Sequence, residues 1–369
     1  MMEIKQINLS IIKMPLKAPF ENALEKVNER EAVLIEITDR DGFTGYGEAV
    51  AFSTPWYTEE TVKTCFHMLK DVLIPLLAKE PIAHPKEVSK RFRVVRRNHM
   101  AKAGLETAVW DLYAKRKGMP LWKCIGGRMQ SVAAGVAVGN HDTFEALQQI
   151  EAFLGEGYER IKVKIKPGHD EAFIREIRQS YPNLKLMADA NSSYTLDDLP
   201  RLQKLDEFGL LMIEQPLGTD DIVEHAVLQK ALKTPVCLDE SIVTYHHAES
   251  ALRLGSFKVL NIKIGRVGGL WPAVRLHDLC LAKGIPVWCG GMIEFGISRA
   301  FNLALATMPG FTIPGDLSAS NRFWEKDIIE PEVAVENGRI RVPDAPGIGY
   351  ELNREYLKKV RVYHEFIRL

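Results

Sequence analysis

Eight short apolar runs, recurring about every 25 residues between positions 132 and 316, restrict the fold of this chain more than any other feature. They read VAAGVAVG (132–139), RIKVKIK (160–166), LKLMADA (184–190), LLMIEQP (210–216), PVCLDES (235–241), VLNIKIG (259–265), IPVWCGG (285–291) and FTIPGD (311–316). Each has the length of a strand that is apolar on both faces, and each interval has room for a helix and two loops. Eight such units in series predict an α/β protein with a (β/α) barrel rather than an open doubly wound sheet. Little room remains for a full helix after the eighth run, so the barrel is expected to end irregularly.

Polar residues enter the runs at their carboxyl ends. They are Lys162 and Lys164, then Asp189, Glu214, Asp239 and Lys263, and from Lys164 onward the steps are 25, 25, 25 and 24 residues. Equal steps in a βα repeat predict side chains at one height on successive strands, and at the carboxyl end that height is the catalytic face of a barrel. Three carboxylates converging in a dry pocket repel one another unless a cation neutralises them. An all-oxygen set without Cys or His selects a hard divalent ion, Mg²⁺ or Mn²⁺, over zinc. Ordinary salt bridges to Lys164 and Lys263 are the plainer reading of the same acids.

The flanking lysines complete a mechanism. Lys164 precedes the acids and Lys263 follows them, so the two can face each other across the site. An ammonium is a poor base at its usual pKa, but a nearby cation lowers that value. Lys162 and Arg266 are candidates for that effect; barrel packing or charge pairing with substrate explains Arg266 equally well. The set suits proton abstraction alpha to a carboxylate, with a lysine as base and the metal stabilising the enediolate.

Ahead of the barrel, residues 2–14 alternate as a strand, and residues 32–38 and 43–49 flank Asp39-Arg40-Asp41-Gly42 as a hairpin. Apolar residues at helical spacing follow at 58–78 and 98–117, with Gly118 and Pro120 as stop signals. Strands followed by helices indicate an α+β unit over 1–125, a barrel over 126–320, and a segment over 321–369 that packs back on the first unit. With 48 Lys+Arg against 48 Asp+Glu the net charge is zero, so there is no electrostatic case for nucleic acid or an anionic membrane as partner. No signal peptide or membrane span is read. Five scattered cysteines argue against a disulfide framework and for a cytoplasmic location.

The order Lys-x-Lys, Asp, Glu, Asp, Lys on consecutive strands resembles the enolase superfamily, in its muconate lactonizing enzyme subgroup. More narrowly, Ser53-Thr54-Pro55-Trp56-Tyr57, Met100-Ala101-Lys102-Ala103, the stretch 164–168, Ala188-Asp189-Ala190-Asn191-Ser192, Ile213-Glu214-Gln215-Pro216, Leu238-Asp239-Glu240-Ser241 and the stretch 288–294 resemble o-succinylbenzoate synthases of the kind that also racemise N-succinylamino acids. The resemblance covers essentially the whole chain. It implies an α+β capping domain over a modified (β/α)₇β barrel, with Asp189, Glu214 and Asp239 as metal ligands and Lys164 and Lys263 as the acid/base pair. It further implies dehydration of a cyclohexadiene carboxylate in menaquinone synthesis or racemisation of an N-succinylamino acid, on a small carboxylate substrate, in a homo-oligomer (dimer or octamer). A noncatalytic barrel that serves as a binding protein is a third reading, against which the complete set of acids and lysines counts.

Loops around Pro19-Phe20 and Phe52–Tyr57 are expected to close over the substrate, with Phe20, Ser53 and Trp56 touching it. Gly291 and Met292 are candidates to offer backbone N–H groups to a carboxylate, though a tight turn accounts for the glycines as well. Asn191 and Glu240 stand beside proposed ligands, where hydrogen bonding to them is expected. Phe295 stands where such proteins often carry a small residue, and its ring is expected to narrow the pocket. The seventh strand supplies no His base, which disfavours mandelate-racemase-like chemistry. Gly315-Asp316-Leu317-Ser318 lacks the second acid of the Asp-x-Asp pair with which dipeptide epimerases hold an ammonium group, which favours a substrate without a free amine. The basic run Lys90, Arg91, Arg93, Arg96, Arg97 and the adjacent His246 and His247 read as solvated surface.

Overall fold

The computed structural model describes residues 1–21, 25–139 and 142–369. Alternating apolar residues build three antiparallel strands, β1 (Ile4–Glu21), β2 (Lys26–Asp39) and β3 (Thr44–Ala49). Asp39 closes the hairpin turn, its Oδ1 accepting from the N–H groups of Asp41 and Phe43. Helix α1 (His99–Arg116) packs on this sheet through glycines, since a Cβ on Gly47 would stand 2.1 Å from the carbonyl oxygen of Gly104. The helix expected over 58–78 is interrupted: α-helical pieces Val62–His67 and Ile74–Leu77 flank a wider π-type segment, Met68–Leu73. Pro75 lacks the N–H that a continuous α-helix would need there.

Seven of the apolar runs form one parallel sheet in sequence order. The strands are β4 (Gly135–Val138), β5 (Arg160–Lys164), β6 (Lys185–Asp189), β7 (Ile213–Glu214), β8 (Val236–Leu238), β9 (Val259–Ile262) and β10 (Val287–Cys289). The intervening segments carry α2 (Thr143–Gly155), α3 (Glu171–Ser180), α4 (Leu199–Lys204), α5 (Val223–Ala231), α6 (Tyr245–Leu254) and α7 (Leu270–Ala282), and α8 (Gly296–Ala306) follows β10. The eighth run differs from expectation. It forms no strand but closes the ring by single bridges, Phe311 to Val287 and Gly315 to Ala134. Pro314 withholds the N–H that a regular ladder requires.

Inside the ring, Met187, Met212, Cys237, Val259 and Trp288 make a separate buried apolar cluster. Met187, Met212 and Cys237 each lie two residues before one of the acids, so strand alternation stacks a dry plug directly beneath a polar layer.

The N-terminal unit is fastened to the barrel by buried carboxylates. Glu48 on β3 accepts from the N–H groups of Phe295 and Ser298 at the start of α8, at 2.9 and 2.8 Å. Glu106 on α1 accepts from Leu270 and Trp271 at the start of α7, at 2.7 and 2.9 Å. Each sets carboxyl oxygens as acceptors on orphan helix N–H groups, while burial pushes Glu48 up to about 8 and Glu106 up to about 7. Strand β11 (Arg361–Arg368) returns from the C-terminal end to pair antiparallel with β1. Among the described residues no helix is long and apolar enough to cross a membrane, and all five cysteines are free thiols.

Candidate active site

Strand register explains how the polar layer is assembled. Lys164 pairs with Asp189, and Asp189 with Glu214, so these three stand level across β5, β6 and β7. The expectation of one common height then fails. Glu214 is level with Cys237, which puts Asp239 two residues further along, and Lys263 follows β9 by one residue. The stagger is the shear that strands acquire when a sheet closes on itself.

All six groups are buried, and each acid has cationic partners. Lys164 Nζ lies 2.6 Å from Asp189 Oδ2 and 2.6 Å from Asn191 Oδ1. Lys263 Nζ lies 2.7 Å from Asp239 Oδ2, and Arg266 Nε lies 3.1 Å from Asp239 Oδ1. Lys162 reaches Asp316 at 2.5 Å, Glu214 at 3.0 Å and Asp189 at 3.3 Å. Burial works against the Lys162 ammonium, but Asp316, Glu214 and Asp189 together hold its pKa well above the usual lysine value. Burial likewise opposes the Asp189 and Asp239 charges. Lys164 and Lys162 keep the first below its ordinary range, and Arg266 and Lys263 do so for the second. Glu214 goes the other way, pushed well up by burial and by the Asp189 charge beside it. Glu240 is raised to about 7 by burial and then by Asp239.

The N-terminal unit lays an aromatic roof over this layer. Phe52, Trp56 and Tyr57 pack on one another in tilted and edge-on pairs, with centroids 4.6 to 6.0 Å apart. One cavity lies beneath, bounded by Phe20, Trp56, Tyr57, Lys164, Lys263 and Met292 among others. Beneath this roof it measures about 90 Å³, and movement of the aromatic side chains would widen it for a substrate with a ring.

Several expected residues meet at this cavity and others do not. Lys162, Lys164, Asp189, Asn191, Lys263, Phe20, Trp56, Gly291 and Met292 all line it. Glu214 and Asp239 sit buried just behind the lysines. Glu240 and Arg266 face a second cavity on the far side of Trp56 and Tyr57, although Glu240 Oε1 still accepts from Asn191 Nδ2 at 3.1 Å. Two expectations are corrected. Phe295 does not narrow the pocket: it is fully buried, stacked on Trp324 with its N–H held by Glu48. Ser53 is exposed and turns outward to Glu31 at 2.9 Å.

Tyr57, expected only as part of a closing loop, also belongs to the site, as do Asn261, Asp316 and Arg322, for which the sequence suggested no role there. Tyr57 accepts from Lys263 and Arg266, at 2.6 Å each, and donates to Asp239 at 3.1 Å. Asn261 donates to Glu214 at 2.7 Å. Its signal was available, as a lone amide two residues before Lys263 in an apolar strand. Arg322 lies beyond the strand repeat and had none.

Among the described residues no three His, Cys, Asp or Glu side chains form a ready-made metal cluster, because lysines occupy the spaces between Asp189, Glu214 and Asp239. The chemistry of the donors nevertheless fits a hard divalent ion. Three carboxylates are buried on neighbouring strand ends, and burial, then the Asp189 charge, drives Glu214 upward in pKa, a cost that a bound cation would relieve.

Residues 6–126 match the family model described as mandelate racemase / muconate lactonizing enzyme, N-terminal domain, and residues 145–356 match that described as enolase C-terminal domain-like. The chain is 56% identical over 366 residues to the o-succinylbenzoate synthase of Geobacillus stearothermophilus, with 98% of each chain covered. It is 44% identical over 362 residues to the N-succinylamino acid racemase of an Amycolatopsis species, covering 97% of this chain and 98% of that one. A solved structure of an enolase-superfamily member from Listeria innocua matches with a TM-score of 0.97 at 42% identity, covering 100% of both chains.

Proposed function

Because the chain belongs to the mandelate racemase / muconate lactonizing enzyme family of enolase-like proteins, we propose that it is an o-succinylbenzoate synthase. On this reading it dehydrates 2-succinyl-6-hydroxy-2,4-cyclohexadiene-1-carboxylate as a step of menaquinone synthesis. One observation carries the proposal: Lys164 and Lys263 both border one cavity, each against its own carboxylate, at the ends of strands on either side of the three acids. Relatives at 52 to 56% identity that bear the synthase name support it.

Enzymes of this family generally depend on a divalent metal. Here Asp189, Glu214 and Asp239 would hold it, Mg²⁺ or Mn²⁺ by their all-oxygen chemistry, and it would supply positive charge to the carboxylate oxygens as the alpha proton leaves. Lys164 takes that proton from the ring carbon. The resulting ammonium then gives a proton to the departing hydroxyl, so water is lost and the ring becomes aromatic. Lys263 stays protonated on the opposite face and stabilises the negative charge. The aromatic roof excludes water and strengthens these interactions.

A racemase reading has its own support, since two lysines at one cavity can exchange protons with a single carbon, and relatives at 41 to 44% identity are named N-succinylamino acid racemases. The discriminating experiment incubates the Mg²⁺-supplied protein in D₂O with the cyclohexadiene acid and, separately, with single enantiomers of N-succinylamino acids. Dehydration without appreciable alpha exchange in the amino acids removes the racemase reading. Exchange without dehydration removes the synthase.

A further inference from the structure

Among the described residues, four cationic side chains border the cavity: Lys162, Lys164, Lys263 and Arg322. The lysines are each within 2.7 Å of a carboxylate oxygen. Arg322 is different. Among the described residues no carboxylate lies within ion-pair distance of it, and its one hydrogen bond runs from Nη2 to the backbone oxygen of Ala137 at 3.3 Å. Its guanidinium stacks over the rings of Phe153 and Phe323, with centroids 4.8 and 5.9 Å away. Desolvation accordingly lowers its pKa, and Tyr158 and the exposed Glu156 offset this only in part.

The position is built. Arg322 ends a short turn, Ser320–Arg322, whose Ser320 hydroxyl donates to Asp327 at 2.6 Å and accepts from the N–H of Val333 at 3.1 Å. The next residue, Phe323, accepts at its carbonyl from the N–H of Lys17 at 2.9 Å, which ties the turn to β1 beside Phe20. Through Ala137 the guanidinium sits over β4. Strand β8, which leads into Asp239, is four places further along the sheet. In a ring of seven strands and one closing segment, those two places are opposite each other. Arg322 and the Asp239–Lys263 end of the site therefore face across the barrel mouth.

We propose that Arg322 binds a second carboxylate of the substrate, the one at the far end of the succinyl chain, while the reacting carboxylate lies at the acid cluster. The assignment rests on the reading given under Proposed function, in which both alternative substrates carry a succinyl group. A planar guanidinium stacked on rings and lacking a protein counter-ion matches a carboxylate in a bidentate or single hydrogen-bonded pose. It would make the enzyme selective for dicarboxylates over acyl analogues that end in a methyl group.

The test compares N-succinyl and N-acetyl derivatives of one amino acid, together with the cyclohexadiene substrate, in the wild type and in Arg322→Met and Arg322→Lys. For Arg322→Met the expected result is a KM for both succinyl substrates raised about 10- to 100-fold, with alpha exchange of the N-acetyl compound within about threefold of wild type. Arg322→Lys should recover part of the loss. Equal loss on all three substrates would mark the residue as structural, and no change would remove it from binding; either result overturns the proposal. A wild-type measurement guards against a variant that fails to fold. Calorimetric binding of o-succinylbenzoate should exceed that of its succinyl-chain methyl ester by at least tenfold, and equal affinity overturns the assignment. That last comparison needs no turnover, so failure of the proposed reactions themselves would be seen separately, as an absence of product from the wild type.

Discussion

Tyr57 and Lys263 are 206 residues apart in the chain, yet the phenol oxygen of the first lies 2.6 Å from Nζ of the second. The same oxygen accepts from Arg266 and donates to Asp239, so one residue of the N-terminal unit completes the hydrogen-bonding of Lys263. Removing only that oxygen, in Tyr57→Phe, should lower kcat about 10- to 100-fold, the range for a hydrogen bond to a charged group. The fold should be undisturbed by circular dichroism. A kcat within twofold of wild type would mean that the phenol is roofing and nothing more.

The two lysines should be separable by chemistry. Lys164→Ala and Lys263→Ala are both expected to lose at least about 10³-fold in dehydration, in line with the removal of a positioned acid or base. Alpha exchange in D₂O should fall with them. If Lys263→Ala kept near wild-type rates in both assays, the two-lysine mechanism would be wrong.

Chelation should silence the enzyme reversibly. After EDTA and gel filtration, activity is expected to fall at least about 100-fold and to return on adding Mg²⁺ or Mn²⁺. Asp189→Asn should not be rescued by either ion at millimolar concentration. Full activity in the metal-stripped protein would remove the metal from the mechanism.

Acid stability should carry the mark of His99. Burial, then the neighbouring Lys102, pushes this imidazole down to about 4, so in the fold it stays neutral while the unfolded chain titrates near 6.5. Between those values the unfolded state binds more protons, and stability must rise with pH from about 4 to 6.5 and be fully present above that. His99→Gln is expected to flatten the rise in urea midpoints measured from pH 4.5 to 6.5. An unchanged slope would show that the ring is solvated in solution.

Close packing of the N-terminal unit predicts a steric failure at Gly47. Its Cβ would meet the Gly104 carbonyl at 2.1 Å and the Ala108 Cβ at 2.9 Å. Gly47→Ala should therefore destabilise by about 1–3 kcal/mol, as overpacking does, and loosen the contact of α1 with β3. A thermal midpoint equal to wild type would contradict the packing described.

The strand repeat made the barrel legible, because a short run apolar on both faces with a polar residue at its end records both a strand and the end of it that bears the site. Lys164, Asp189 and Glu214 stand level for that reason. Asp239 does not, since barrel shear accumulates through pairings that no single run encodes. The eighth run was read as a strand like the others, yet with Pro314 in it the ring closes only through isolated bridges. Phe295 shows the opposite limit: a bulky residue beside a motif reads as pocket-lining until the helix that follows turns its ring onto Trp324.

By itself, then, the sequence determined the order of the units, the acids and lysines at the strand ends, and the neutral overall charge. Local periodicity is enough for those. Only the tertiary structure decided that Tyr57 closes on Lys263, that Glu48 and Glu106 fasten the N-terminal unit to helices of the barrel, and that Arg322 stands in the same cavity with no counter-ion among the described residues. Each of these joins residues far apart in the chain, and such contacts arise from how whole elements pack rather than from any local pattern.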